Sequence, residues 1–106
     1  MDGSLSSPSG GIQVRTTERG LPIMLKLDQR ELSKPPMQLA QDILLLCQLS
    51  AKRMQVARRR GLVARGVSPA AIRGLNLSTE EELARAEAEL RDDDPDAPPD
   101  TWMHPV

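Results

Sequence analysis

Two stretches near the start of the chain alternate in polarity. Ile12, Val14 and Thr16 stand against Gln13, Arg15 and Thr17, and Leu21, Ile23, Leu25 and Leu27 stand against Pro22, Met24, Lys26 and Asp28. A period of two marks a half-buried strand. Glu18-Arg19-Gly20 lies between the runs and supplies a turn, with Gly20 free to take a positive φ. Together the runs predict an antiparallel β-hairpin. Pro22 has no N–H for a ladder, so the second strand should begin on an edge. A hairpin alone is not stable in water and needs a helix to rest on.

The pattern then changes period. Ser33 offers a cap, Pro35-Pro36 fit a first turn, and no Gly or Pro interrupts residues 37–60. Met37, Ala40, Leu44, Cys47, Ala51 and Met54 recur at spacings of three and four, one apolar stripe that we assign to the hairpin. Gly61 weakens this helix, and Gly66 marks its break. Ser68-Pro69 starts a short helix through Ile72 that ends at Gly74. Ser78 and Glu81 have capping-box spacing, and Glu80, Glu81 and Glu82 complement the dipole of a last helix running to about Arg91.

The expected fold class is therefore α+β. An antiparallel β-hairpin packs on one long helix, followed by a short helix and an acidic C-terminal helix. Residues 1–10, rich in Ser, Gly and Pro, read as a disordered N-terminus, 11–91 as a single α+β domain, and 92–106 as an acidic, Pro-rich disordered tail.

Composition sharpens this picture. There is no Phe or Tyr, and the one Trp is Trp102, so Leu, Ile, Val, Met and Ala must build the core. About 80 folding residues make a self-sufficient core marginal, which favours burial shared with another chain. The net charge of −1 conceals an asymmetry. Residues 12–75 carry twelve Lys or Arg against four acids, and residues 76–106 carry two Arg against ten acids. Such a division suits polyanion binding, a tail that covers a basic surface, or simply a solvated helix face with a solubilising tail. The single Cys47, the absence of a signal-peptide pattern at the start and the lack of an apolar run of about 20 residues point to a cytoplasmic protein that does not span a membrane.

Catalytic chemistry has little to work with. His104 lies in the tail with no fixed neighbour, and Cys47 lies on an apolar stripe as a small hydrophobe. No Cys/His cluster suggests zinc, no Gly-rich loop suggests phosphate, and the acids of 92–96 lack calcium-loop spacing. The expectation is a non-enzyme with no cofactor, no metal and no small-molecule substrate. Binding surfaces are better represented. Ile43-Leu44-Leu45-Leu46-Cys47 surrounds the helix with apolar side chains, and Leu45, Leu49 and Val56 form a second apolar face. Either another chain packs there, a protein partner or a homodimer, or the C-terminal helix folds back with Leu83 and Leu90. Lys52, Arg53, Arg58, Arg59 and Arg60 put five cations in nine residues, which could meet the phosphates of duplex DNA. The helix dipole alone also favours cations at that end, and without aromatics there is nothing to stack single-stranded bases.

Gly11-Ile12-Gln13-Val14, Leu25-Lys26-Leu27-Asp28 and Met37-Gln38-Leu39-Ala40-Gln41-Asp42-Ile43, in that order, resemble the second half of the YbaB/EbfC nucleoid-associated family. That resemblance covers residues 11–60 and implies a dimer that binds DNA; the long helix that precedes the sheet in that family has no counterpart before Gly11. The segment Leu75-Asn76-Leu77-Ser78-Thr79-Glu80-Glu81-Glu82, running into Ala84-Arg85-Ala86-Glu87-Ala88-Glu89, extends a closer resemblance over residues 11–90. Its object is the EspH-like family associated with type VII (ESX) secretion in mycobacteria and relatives. This implies a cytoplasmic accessory or chaperone-like protein that binds another protein. The chain has no Tyr for a Tyr-x-x-x-Asp/Glu export signal, and Met103-His104 after Trp102 does not make the Trp-x-Gly turn of the secreted substrates.

Overall fold

The computed structural model describes residues 2–92. Of the tail predicted over 92–106, Asp92 is helical, and residues 93–106, with Trp102 and His104, lie outside the described residues. The architecture is α+β, with three antiparallel strands in the order β1 (Asp2–Ser6), β2 (Ile12–Thr17), β3 (Pro22–Leu27). A 3-10 turn (Gln29–Ser33) leads into the long helix α1 (Pro36–Ala64), followed by α2 (Pro69–Arg73) and α3 (Glu80–Asp92).

The first correction concerns the N-terminus. Residues 2–6, expected within a disordered segment, form a strand paired with β2 from Asp2↔Thr17 to Ser6↔Gln13. The predicted hairpin is thus the second half of a three-stranded meander. Only Leu5 is apolar in β1, but β2 offers it a row of backbone partners. The connecting turn is closed by the Ser7 hydroxyl, which accepts from the Ile12 N–H at 3.1 Å. Gly3 is fitted to its place: a Cβ there would stand 2.9 Å from Met54 Sδ, so the missing side chain admits the helix.

β2 is the centre of the sheet and follows its predicted alternation. Ile12, Val14 and Thr16 are buried, while Gln13 and Arg15 are exposed. Gly20, at φ +86°, closes the β2–β3 turn as expected. A register shift between Arg15 and Thr16 pairs Thr16 with Pro22, while Val14 pairs with Leu25 and Ile12 with Leu27. The alternation of β3 therefore holds from Met24 onward and slips at Ile23.

α1 spans 29 residues, or about 44 Å. It passes through Gly61 and ends just before Gly66, whose φ is +83°. Pro35 stands at its N-cap with no side-chain cap, and the expected Ser33 cap is instead spent inside the 3-10 turn, where its hydroxyl donates to Arg30 O. The middle of α1 lies across β1 and β2. Leu46 and Cys47 pack with Ile12 and Val14, and Leu5, Leu27, Leu39 and Ile43 close around them. One polar chain crosses this core: Thr16 Oγ1 and Ser50 Oγ are 2.7 Å apart, and Ser50 donates to Gly3 O. Among the described residues no buried side-chain polar atom lacks a partner.

α2 begins and ends where predicted, with the Ser68 hydroxyl capping Ala71 N and Gly74 at its end. For α3 the cap moves one residue. Thr79 Oγ1 accepts from Glu82 N, because Ser78 is drawn inward to Gln55. α3 then runs antiparallel to α1, with Glu80 at Arg60 and Glu87 at Arg53.

Candidate protein-binding face

Leu45, Leu49 and Val56, the residues predicted to bind a partner, do not form a free surface. Leu49 and Val56 are each 1% exposed, and Leu45 is half-buried beside Glu82, Arg85, Ala86 and Glu89 of α3. Leu90 of α3 packs against the core on the same side. A second apolar face did require a second surface. This chain supplies it by folding α3 back, the other of the two arrangements left open by the sequence.

The basic cluster is likewise engaged. Arg53 meets Glu87 at 3.1 Å, Arg58 meets Glu18 at 3.0 Å, and Arg60 makes a two-pronged contact with Glu80. Arg59 donates to the Leu77 and Ser78 carbonyls at 2.6 and 3.1 Å. Gln55 reinforces the same junction, donating to Glu18 O and accepting from both Ser78 N and Oγ. Lys52, partly buried, borders the contact with Glu82 and Glu89. The arginines thus fasten the α2–α3 segment and the β2–β3 turn to α1. Mutual attraction raises the Arg60 pKa and lowers that of Glu80, in each case chiefly through their side-chain hydrogen bond.

The open apolar surface lies elsewhere. α1 packs mainly on β1 and β2 and reaches β3 at Leu27, leaving the helix-facing side of the strand open at Leu25. Leu21, Ile23 and Leu25 are 65, 52 and 44% exposed, and Met37 and Leu44 of α1 are 74 and 57% exposed. The predicted stripe explains how helix and strand meet here. Its lower members Cys47 and Ala51 are buried beside Gly20 of the β2–β3 turn. Leu44, Ala40 and Met37 continue the same stripe one to three turns further on and emerge over the β3 side. The assignment of the whole stripe to the hairpin is therefore corrected: Cys47, Ala51 and Met54 are covered, whereas Met37, Ala40 and Leu44 are not. The sequence pattern set Leu44 and Met37 on the stripe assigned to the hairpin and Ile23 and Leu25 on the apolar face of a half-buried strand, and all four are exposed. The available signal was Pro22, which marked β3 as an edge with apolar residues on both faces.

The entry of α1 beside this face is held by charge. Lys34 Nζ bridges the largely buried carboxylates of Glu31, at 3.0 Å, and Asp42, at 2.9 Å. The hydrogen bond that Lys34 donates to Asp42 is the main reason its pKa lies above the ordinary lysine value.

For catalysis the described residues offer little. Cys47 is buried, and desolvation pushes its thiol pKa up, away from nucleophilic character. A cleft of about 740 Å³ between the β2–β3 turn and the α2–α3 connection holds Glu18, Arg19, Gln55 and Arg58, but Glu18 and Arg58 pair with each other. Among the described residues no group of His, Cys, Asp or Glu is placed to hold a metal ion. No helix among them is long and apolar enough to cross a membrane. No family model, curated protein or solved structure matches the chain.

Proposed function

We propose that this is a non-enzymatic accessory or chaperone-like protein whose work is to bind another protein chain, through the face formed by β3 and the first half of α1. The observation that carries this reading is the exposure of Leu25, on the helix-facing side of β3, together with that of Ile23 beside it and of Leu44 and Met37 on the uncovered part of the α1 stripe. Contiguous apolar surface of this kind marks interaction sites. A type VII secretion setting in the cytoplasm is the one suggested by the resemblance of residues 11–90. DNA binding is less well supported, because the arginines it would use are paired with acids or carbonyls of the same chain.

A pulldown at moderate salt tests the reading. The wild type should retain a protein after nuclease treatment, and the double variant Leu25→Lys/Leu44→Lys should lose it. Recovery of nucleic acid instead, or equal capture by the variant, would count against a protein-binding role for this face.

A further inference from the structure

The open face carries a second feature besides its side chains. β3 is an edge strand, and its main chain is directed in a defined way. Asp28 N donates to Gly11 O at 2.7 Å, and Thr17 N donates to Leu21 O at 2.9 Å. Antiparallel ladders alternate, so Lys26 and Met24 turn their N–H and C=O groups towards β2, and Leu25 and Leu27 turn theirs towards the open edge. Folded proteins usually blunt such an edge with inward charges, central prolines or a covering loop. Here Pro22 stands only at the strand's start, and its one charge, Lys26, is on the face away from α1. The opposite edge, β1, presents Ser4 and Ser6 and is flanked by α3.

We propose that the occupant of this face is a second copy of the chain. The two β3 strands pair antiparallel across a two-fold axis at Leu25, which makes one six-stranded sheet. The helix-facing side chain of Leu25 then meets its counterpart, with Leu27 of each copy opposite the stretch around Ile23 of the other, in a valley walled by the two α1 helices, and Leu44 and Met37 of each copy close it from above. This rests on the protein-binding reading and names its partner.

Three considerations select a second copy. An antiparallel edge pairs with itself by a two-fold rotation, so one contact satisfies both molecules and closes the assembly. The register about Leu25 sets Lys26 opposite Met24 of the partner subunit, whereas a shift of one residue would set Lys26 against its own mate, a like-charge pair. The valley also needs an apolar layer above the sheet as well as a strand beside it. An isolated extended peptide supplies only the strand, while a second copy brings both. The chain's own C-terminal segment fits poorly, since Pro95, Pro98 and Pro99 have no N–H to donate and five Asp follow Arg91.

Size-exclusion chromatography with light scattering on the full chain should give twice the chain mass, and Leu25→Lys should give the monomer mass with its circular dichroism retained. Leu25→Cys locates the axis. Hydrogen-bonded antiparallel partners have Cα atoms about 5.5 Å apart, within disulfide range. Mild oxidation should therefore link two copies through this residue, while Ser4→Cys on the β1 edge should not link; Cys47 is buried and takes no part. A wild type that remains monomeric at millimolar concentration overturns self-association. In that event, capture of another protein that depends on Leu25 and Leu44 would leave the protein-binding reading standing, and loss of both would end it. A dimer that survives Leu25→Lys, or links at Ser4→Cys but not at Leu25→Cys, overturns the β3 interface.

Discussion

The two sides of the sheet have similar side chains and opposite fates. Under α1, Ile12 and Val14 of β2 lie beneath Leu46 and Cys47 and are shielded from water. One strand away, Leu25 is the direct ladder neighbour of Val14, yet it is about half exposed. The difference is one of coverage. A helix is about 10–12 Å wide with its side chains, and strands are about 4.8 Å apart, so one helix covers roughly two strands. The added strand β1 draws α1 to its side, through Met54 on Gly3 and the hydrogen bond from Ser50 to Gly3 O. β3 is left over. An unpredicted strand at one edge thus accounts for an open face at the other.

Substitutions on α1 test this contrast most strongly. Leu46→Ala removes a fully buried side chain and should cost about 2–5 kcal/mol in urea unfolding. Leu44→Ala, two residues away on the same helix, should change stability by less than about 0.5 kcal/mol at dilutions where the chain is monomeric. Equal costs would mean that the β3 side is packed after all.

A smaller effect is expected where α1 enters the fold. Lys34→Met strands two largely buried carboxylates, Glu31 and Asp42, and should cost on the order of 1–3 kcal/mol at neutral pH. Because folding raises the Lys34 pKa, the contribution is fully present below the ordinary lysine value of about 10.4 and fades as pH rises through the folded value. The gap between wild type and variant should therefore narrow in alkali, as Lys34 loses its proton, and also in strong acid, where protonation of Glu31 and Asp42 removes the charges that Lys34 meets. A gap that stays constant at both extremes would mean that Lys34 contributes through packing and not through charge.

The smallest change in stability is expected at the exposed pairs between α1 and α3. Their informative readout is binding. Glu80→Gln/Glu87→Gln frees Arg60 and Arg53, and the double variant should bind duplex DNA at low salt more tightly than the wild type. Each released cation that reaches a phosphate should steepen the salt dependence by about 0.9 in log–log slope. Tight binding by the wild type, unchanged in the variant, would revive the DNA-binding alternative.

Much of the local structure was legible in the residues. Alternation placed β2, Gly20 placed the turn, and the uninterrupted stretch after Pro36 placed α1. Ser68 and Gly74 bracketed α2. β1 was not legible, because Asp2-Gly3-Ser4-Leu5-Ser6 has a loop's composition and becomes a strand only where β2 offers it a ladder. The cap of α3 was misplaced by one residue because Ser78 is claimed by Gln55, 23 positions away. The candidate site moved for a similar reason. Leu45, Leu49 and Val56 correctly signalled a second packing surface, but side-chain pattern does not say whose surface arrives.

The sequence by itself determined which positions are apolar, the period in which they recur and so the type of most elements. It also determined that β3 would start on an edge. Only the tertiary structure decided that α3 covers the second face of α1, that the arginines are held by acids and carbonyls of the same chain, and that the stripe from Met37 to Met54 is buried for only part of its length. Periodicity sets the direction in which a helix face points. How far that face is covered depends on where the helix crosses the sheet, and contacts between residues distant in sequence fix that crossing.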